Sequence, residues 1–120
     1  VYPSLYTPFL RKIGFFKNNI YDIYNDFVKV DWVSGMFMMI KSETFKDMNG
    51  FDEKFYMYYE DVDLCRRIRL NGGEILRINT EKIYHVGQHQ SHKSLKFLSM
   101  HLKSMIYYHY KYFFKKKPAY

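Results

Sequence analysis

The order of apolar and polar residues predicts a series of short strands and amphipathic helices. Residues 30–40 are β-branched and apolar without clean alternation, which is typical of a strand buried on both faces. Gly35 within this run indicates a bulge or a close approach of the backbone to a ligand. A short helix is expected over 43–49, with Ser42 as its N-cap and a left-handed Gly50 at its end.

A second helix is expected over residues 60–71, because its apolar residues recur at helical spacing and two glycines follow. Short strands are expected over 74–78 and 82–86. A long helix then completes the chain, and one stripe of apolar residues should bury it: Leu95, Leu98, Leu102, Met105 and Ile106. This order predicts an α/β fold with few strands, so the chain looks like half of a larger domain.

Composition limits the kinds of protein that this chain can be. Its 120 residues are enough for one domain or part of one, and 13 Tyr and 11 Phe supply many groups to bury. A single cysteine, Cys65, rules out an intrachain disulfide and favours a reducing, cytoplasmic compartment. We expect no signal peptide, and the longest strongly apolar run, 33–40, is far short of the roughly 20 residues that span a bilayer.

The net charge of +7 is unevenly distributed. All 12 acidic residues lie at or before Glu81, whereas residues 82–120 contain eight Lys and no Asp or Glu. A basic and aromatic C-terminus suggests an anionic surface as partner, either membrane lipid or nucleic acid. Nucleic acid is the weaker of the two, because the acidic residues occupy the folded part and no nucleic-acid motif is present.

The pair Glu60-Asp61 carries the candidate chemistry. It lies where an aromatic run, which includes Tyr58 and Tyr59, gives way to the second helix. Free N–H groups and the helix dipole stabilise a carboxylate there, and a carboxylate beside an aromatic cleft can take a proton from a substrate hydroxyl. The alternative is that Glu60 caps the helix and Asp61 only complements its dipole. From this segment alone, capping is the preferred interpretation.

Three segments together resemble the C-terminal half of a family 2 glycosyltransferase, of the rhamnosyltransferase-like kind that builds bacterial surface polysaccharide. They are a Pro-containing segment at 1–14, a central signature at 30–75 that contains the Glu-Asp pair, and a His-x-x-Gly segment at 83–91. The resemblance implies the GT-A fold, a mainly parallel sheet covered by helices. It also implies inverting transfer of a sugar from a nucleotide-diphosphate donor to a hydroxyl of a glycan or lipid-linked acceptor.

In this resemblance residues 1–120 form the half that carries the catalytic base and the acceptor site, with residues 92–120 as a basic aromatic helix. The family's nucleotide-binding half, whose Asp-x-Asp motif holds a divalent metal, does not match here, so the isolated chain is expected to be inactive. Asp61-Val62-Asp63 fits Asp-x-Asp literally. Because it opens a helix inside the later signature, we interpret it as a coincidental match.

The resemblance assigns roles to single residues. Asp61 matches the catalytic base, which reverses the preference for capping, and Glu60 matches the residue that positions the loop or the acceptor. His85 matches a histidine that approaches the metal, Mg²⁺ or Mn²⁺, or the diphosphate; the alternative is a histidine that is only hydrogen-bonded at a strand end.

Further residues are expected to form the substrate cleft. Trp32 and Gly35 fall where the family binds the acceptor and donor sugar, although a core tryptophan and a bulge glycine are equally good interpretations. Tyr58 and Tyr59 should wall the cleft. Residues 36–40 are interpreted as core.

The expected partners follow from the same resemblance. They are a nucleotide-diphospho-sugar, a glycan or lipid-linked acceptor, and an anionic membrane contacted peripherally at its inner face by the aromatic and lysine residues of 107–117. The alternative for this tail is a packing helix with a solvated end. An exposed sheet edge predicts self-association. The competing function is a non-catalytic remnant that acts as an interaction or membrane-surface module.

Overall fold

The computed structural model describes residues 2–3, 26–79, 84 and 95–113. In this part of the chain the elements are β1 (Phe27–Lys29), α1 (Ser42–Asp47), α2 (Glu60–Leu70), β2 (Leu76–Ile78) and α3 (Leu95–Tyr112). The two strands pair antiparallel, with Phe27 opposite Ile78 and Lys29 opposite Leu76. Helices with a small sheet are consistent with the expected α/β class. The strand expected over 82–86 lies outside the described residues, apart from Tyr84.

The expected buried strand over residues 30–40 is wrong. Its first residue extends the sheet by one hydrogen bond, from the Val30 N–H to the Ile75 carbonyl (3.0 Å), and the backbone then leaves the sheet and turns at 35–37. Met36, Phe37 and Met39 are largely exposed, Met39 by 87%. A strand buried on both faces needs elements on both sides, and no other element of the described residues covers this segment. Residues 36–40 are therefore not core here.

Helix α1 starts one position earlier than predicted. Lys41 is the N-cap, in an extended conformation without a side-chain cap, so Ser42 is already helical and does not cap. The end differs by one position from the prediction. Met48 is the C-cap, so Asn49, with φ 55°, occupies the left-handed C′ position expected for Gly50 and donates its N–H to the Lys46 carbonyl (2.8 Å). Gly50 follows it, also left-handed with φ 67°, and donates its N–H to the Phe45 carbonyl (2.9 Å). Phe51 packs back on Phe45 as predicted, with ring centroids 5.6 Å apart.

Helix α2 is the centre of the described structure. Its predicted apolar face is confirmed, since Leu64, Cys65 and Ile68 are all buried. Burial raises the pKa of the Cys65 thiol. The helix ends as predicted at the glycine pair, where Gly72 has φ 82° and the Gly73 N–H bonds the Ile68 carbonyl (3.0 Å).

Helix α3 packs on α2 through a different face from the predicted one, and of the predicted stripe Met105 alone packs against the core cluster of the described residues. Its buried residues are Ser104, Tyr108 and Tyr112, and the two tyrosines join Phe55, Tyr59 and Val62 in one core cluster. Most of the aliphatic stripe expected to bury the helix is exposed instead: Leu95, Leu98, Leu102 and Ile106. The reason is that the core offers α3 buried polar partners, which aliphatic side chains cannot satisfy. None of the described helices is both long and apolar enough to cross a membrane.

Candidate functional site

The loop before α2 reaches the helix through a strained backbone. Tyr58 and Tyr59 both have left-handed conformations, with φ 68° and 69°. Each left-handed non-glycine residue costs about 1–2 kcal/mol, so the surrounding packing must impose this shape. Tyr59 occupies the N-cap position, and no side chain caps the helix. The capping role considered for Glu60 is therefore not observed, because Glu60 is already the first helical residue.

Asp61 lies in the first turn of α2 and is held by backbone donors from two elements. Its Oδ2 accepts the Gly35 N–H at 2.8 Å, and its Oδ1 accepts the Val62 N–H at 2.7 Å. A Cβ placed on Gly35 would lie 3.4 Å from the Asp61 Cβ. The close backbone approach that Gly35 predicted is thus an approach to the candidate base.

The carboxylate of Asp61 is open to a further hydrogen-bond donor. The side chain is only partly buried, and among the described residues no Lys, Arg or His forms an ion pair with it. Each carboxylate oxygen offers two lone-pair positions, and each accepts one backbone N–H here. With respect to residues 26–79 and 95–113, one position on each oxygen therefore remains for another donor, such as a substrate hydroxyl.

Asp63, two residues later, is bound in a different way. It is completely buried and accepts from Arg67 Nε, Lys111 Nζ and the Tyr112 hydroxyl, each at 2.7 Å. Burial and the bond to Asp63 raise the pKa of Tyr112. Asp63 thus joins α2 to α3 through buried polar contacts. The interpretation of Asp61-Val62-Asp63 as a coincidental match stays a prediction.

A partly buried carboxylate, Asp52, joins the loop to α3. It accepts Lys111 Nζ at 2.6 Å and the Tyr107 hydroxyl at 3.0 Å. Burial acts to raise the pKa of Asp52, but the hydrogen bond from Lys111 leads the opposing contributions, which lower that pKa to about 2. Ser104 adds a bond from its hydroxyl to the Met57 carbonyl (2.7 Å). Helix α3 therefore fixes the loop that leads to the Glu-Asp pair.

The sequence did not identify these bracing residues. Only the i,i+4 pair of Asp63 and Arg67 was visible from spacing. Lys111 appeared to be one of several lysines in a basic tail. The available signal was its helical register, since it follows Tyr107 by four positions and Ser104 by seven and so shares their face.

Glu60 differs from its neighbour in its surroundings. It is partly buried, and within the described residues its Oε2 atom is buried without a hydrogen-bond partner. Burial raises the pKa of Glu60, and the nearby charge of Asp61 raises it further. An orphaned carboxylate oxygen of this kind is available to a hydroxyl of a bound molecule.

The aromatic residues expected in the cleft divide into two groups. Tyr59 is buried and packs on Tyr108, with ring centroids 5.3 Å apart, so its ring is a core group and not the expected wall. Tyr58 is partly buried and lies on His101, at a centroid distance of 4.8 Å. Trp32 is also partly buried and packs against the core cluster. The structure gives Trp32 the packing role that was one of its two interpretations, and its contact with a sugar stays a prediction.

An apolar groove of about 450 Å³ opens beside Gly35. Its other lining residues come from the segment after Gly35, from α1 and from the turn that follows α1: Met36, Phe37, Met38, Ile40, Phe45 and Phe51. The groove is thus joined to Asp61 through the glycine that both share. His85, the expected metal ligand, lies outside the described residues.

Residues 25–90 match a protein family described as the N-terminal domain of galactosyltransferase. The rhamnosyltransferase WbbL of Escherichia coli strain K12 is 39% identical over 90 residues, which cover 72% of this chain and 33% of the relative. A Mycobacterium tuberculosis protein, N-acetylglucosaminyl-diphospho-decaprenol L-rhamnosyltransferase, is 32% identical over 73 residues, which cover 61% of this chain and 23% of the relative. The chain thus spans a third or less of these curated relatives. No solved structure is significantly similar to it.

Proposed function

Because this chain belongs to the glycosyltransferase family that its residues 25–90 match, we propose that it supplies the catalytic base and part of the acceptor site of a sugar transfer. The resemblance to rhamnosyltransferase-like glycosyltransferases is confirmed. The activity belongs to a protein of about its relatives' length that contains this chain as the half opposite the nucleotide-binding half. The GT-A fold is part of this proposal.

In the proposed reaction Asp61 removes the proton from an acceptor hydroxyl. The hydroxyl oxygen forms a bond to the anomeric carbon of the donor sugar, and the bond from that carbon to the diphosphate oxygen breaks. The leaving diphosphate takes the electron pair, and the proton remains on Asp61. Attack from the face opposite the leaving group inverts the anomeric centre, which requires a base held in fixed position on that side.

The observation that supports this role is the way in which Asp61 is held. Backbone N–H groups of Gly35 and Val62 fix the two carboxylate oxygens, and backbone donors do not swing away as long side chains do. No cation of the described residues neutralises the carboxylate. Positioning without charge pairing is what a general base needs, because an ion-paired carboxylate is a weaker proton acceptor.

The neighbouring residues contribute to acceptor binding. Glu60 accepts a hydrogen bond from the acceptor through its unpartnered Oε2. Tyr58 and the exposed part of Trp32 stack on sugar rings. The groove beside Gly35 takes an apolar part of the acceptor, next to the base.

The donor in this proposal is a nucleotide-diphospho-sugar bound outside this chain. The complete enzyme uses Mg²⁺ or Mn²⁺, with His85 as one ligand and the others in the nucleotide-binding half. The described residues do not form a metal site by themselves. A divalent ion would neutralise the diphosphate as it leaves, and the proton transfer to Asp61 does not involve it.

The acceptor and the cellular location follow by similarity to the named relatives. One relative is named for action on a diphospho-decaprenol acceptor, and we propose a lipid-linked or glycan acceptor for this protein as well. A lipid-linked acceptor favours a place in the cytoplasm at the inner face of the membrane. The exposed apolar surface of residues 36–39 favours self-association when the chain is isolated.

The test is a screen of the longer protein for donor consumption and sugar transfer, with a panel of nucleotide-diphospho-sugars and Mg²⁺ or Mn²⁺. We expect one donor to be consumed in the presence of a lipid-linked acceptor. Glu60→Gln should raise the acceptor KM more than it lowers kcat, because Glu60 binds the acceptor and does not take the proton. If every donor survives although calorimetry detects donor binding, the competing function as a non-catalytic module is correct.

A further inference from the structure

The outward face of α3 is largely apolar; Ser99 interrupts it, with its hydroxyl bonded to the Lys96 carbonyl (2.8 Å). Its apolar part consists of six exposed side chains three or four positions apart, the spacing that aligns residues on one side of a helix: Leu95, Leu98, Leu102, Ile106, Tyr110 and Phe113. The residues that bury the helix, Ser104, Tyr108 and Tyr112, lie on the opposite side. The 18 residues of α3 give this outward face a length of about 27 Å. The proposed site makes no use of it.

The charges next to this face have one sign. Lys96 and Lys103 are exposed and, two helical turns apart, follow the same margin of the outward face. Helix α3 contains no Asp or Glu, and residues 82–120 contain eight Lys and no acidic residue. A surface with an aliphatic centre and a cationic margin matches a partner that is apolar inside and anionic at its boundary.

We propose that the outward face of α3 binds the surface of an anionic phospholipid bilayer. The four aliphatic side chains enter the acyl boundary while Lys96 and Lys103 contact lipid phosphates, which is how amphipathic helices lie on membranes. Tyr110 and Phe113 extend the contact at the end of the helix, where aromatic rings suit the headgroup zone.

A second copy of the chain fits this face less well. Pairing two such faces would bring their lysine margins together, and each copy carries a net charge of +7, so electrostatic repulsion opposes the contact. A bilayer supplies the opposite charge instead.

The biological purpose of this contact rests on the proposed function, since a membrane-bound transferase meets a lipid-linked acceptor. The binding itself does not rest on it. Helix α3 braces the loop before Asp61 through its inward face while its outward face lies on the bilayer. The same helix therefore sets the distance between the catalytic carboxylate and the membrane.

The test is co-sedimentation of the 120-residue chain with vesicles of phosphatidylglycerol and phosphatidylcholine, compared with phosphatidylcholine alone. We expect binding to the anionic vesicles that weakens with salt. The double variant Leu102→Ser, Ile106→Ser should lose about tenfold in partitioning per side chain. Its control is Met39→Ser, Leu70→Ser, which removes two exposed apolar residues elsewhere and should bind like the wild type. Circular dichroism verifies that all variants fold.

The charge contribution is tested separately. Lys96→Gln, Lys103→Gln should weaken binding to anionic vesicles about 30-fold, whereas Lys41→Gln, Lys46→Gln, which alters two exposed lysines at α1, should have little effect. Wild-type protein that stays in the supernatant with anionic vesicles would overturn the proposal. Unchanged binding of the Leu102, Ile106 variant would also overturn the proposal. This includes the case in which the protein leaves the vesicles only when Lys115, Lys116 and Lys117 are replaced.

Another outcome would also overturn the proposal. If the protein does not bind vesicles but forms a dimer, and the substitutions at Leu102 and Ile106 dissociate that dimer, the partner of this face is a second copy of the chain. The outcome is independent of catalysis. Asp61→Asn should bind vesicles like the wild type, and the Leu102, Ile106 variant of the longer protein should retain transfer to a water-soluble acceptor.

Discussion

Asp61 and Asp63 lie two residues apart on the same helical turn and have opposite environments. Asp63 is completely buried and receives two cationic donors and a tyrosine hydroxyl. Asp61 is partly exposed, and its donors among the described residues are two backbone N–H groups. The two carboxylates of this short motif therefore have different roles. Asp63 joins α2 to α3, whereas Asp61 is itself positioned by backbone N–H groups.

The division follows from helix geometry. Residues two apart on a helix point about 200° apart, so one of them faces the core when the other faces out. Asp63 faces α3, where Lys111 and Tyr112 approach it. Asp61 faces the turn at Gly35. Substitutions on the inward side should therefore change stability, and those on the outward side should change turnover.

The largest stability effect is expected for Asp63→Asn. Loss of this charge removes the carboxylate that the partly buried Lys111 and Arg67 share and leaves a completely buried neutral group in its place, which should reduce the free energy of unfolding by about 3 kcal/mol. Urea denaturation of the chain measures it. Asp61→Asn is the matched control and should change stability by less than about 1 kcal/mol. Equal losses for the two variants would show that the carboxylates are not divided as described.

A smaller effect is expected for Lys111→Met, which keeps the aliphatic stem but removes the ammonium between Asp52 and Asp63. Both carboxylates retain other donors, so we expect a loss of about 2 kcal/mol in urea denaturation. Lys103→Met, at an exposed lysine of the same helix, should lie within about 0.5 kcal/mol of the wild type. If Lys111→Met left the free energy of unfolding unchanged, α3 would not stabilise the loop that leads to the Glu-Asp pair.

The pH dependence of stability measures the contribution of Asp52 separately from the other carboxylates. Its pKa is lowered in the folded chain from 3.8 to about 2, so its contribution is complete above pH 4 and is lost as the pH falls through 2. Asp52→Asn should remove about 1–2 kcal/mol of this acid-sensitive stability. Denaturation curves between pH 2 and 5 test it, with Glu53→Gln, at an exposed position, as the control. An unchanged slope in Asp52→Asn would contradict the assignment.

The smallest stability effect is expected on the outward side, for Gly35→Ala. The new Cβ would lie 3.4 Å from the Asp61 Cβ, at the near edge of ordinary contact, and the N–H donor remains. The free energy of unfolding should change by less than about 0.5 kcal/mol, while turnover of the longer protein falls about two- to fivefold because the carboxylate is displaced. Ser34→Ala is the control. Unchanged turnover would show that Gly35 does not set the position of Asp61.

Local signals in the sequence predicted much of this structure. The glycine-terminated end of α2, the buried face around Leu64 and Cys65, and the pair of Asp63 and Arg67 all follow from spacing within one element. These features form from contacts a few residues apart, which a single sequence reveals. The position of Asp61 at the start of α2 belongs to the same class.

Features that depend on distant partners were not predictable. Residues 30–40 have the composition of a buried strand, but strand pairing needs neighbours that composition does not show. The aliphatic stripe of α3 was expected inside, yet Lys111 and Tyr112 lie there because Asp63 of α2 is buried opposite them. Hydrophobic periodicity does not reveal such a pairing, because Asp63 and Tyr112 are 49 positions apart in the sequence.

The most direct test of the account is the turnover of Asp61→Asn in the longer protein, measured with saturating donor and acceptor. Asn keeps the shape of the side chain and one hydrogen-bond acceptor but cannot take the proton. We expect a loss of about 10²-fold or more in kcat, with donor affinity and urea denaturation near wild type. Near-normal turnover in a folded Asp61→Asn protein would contradict it.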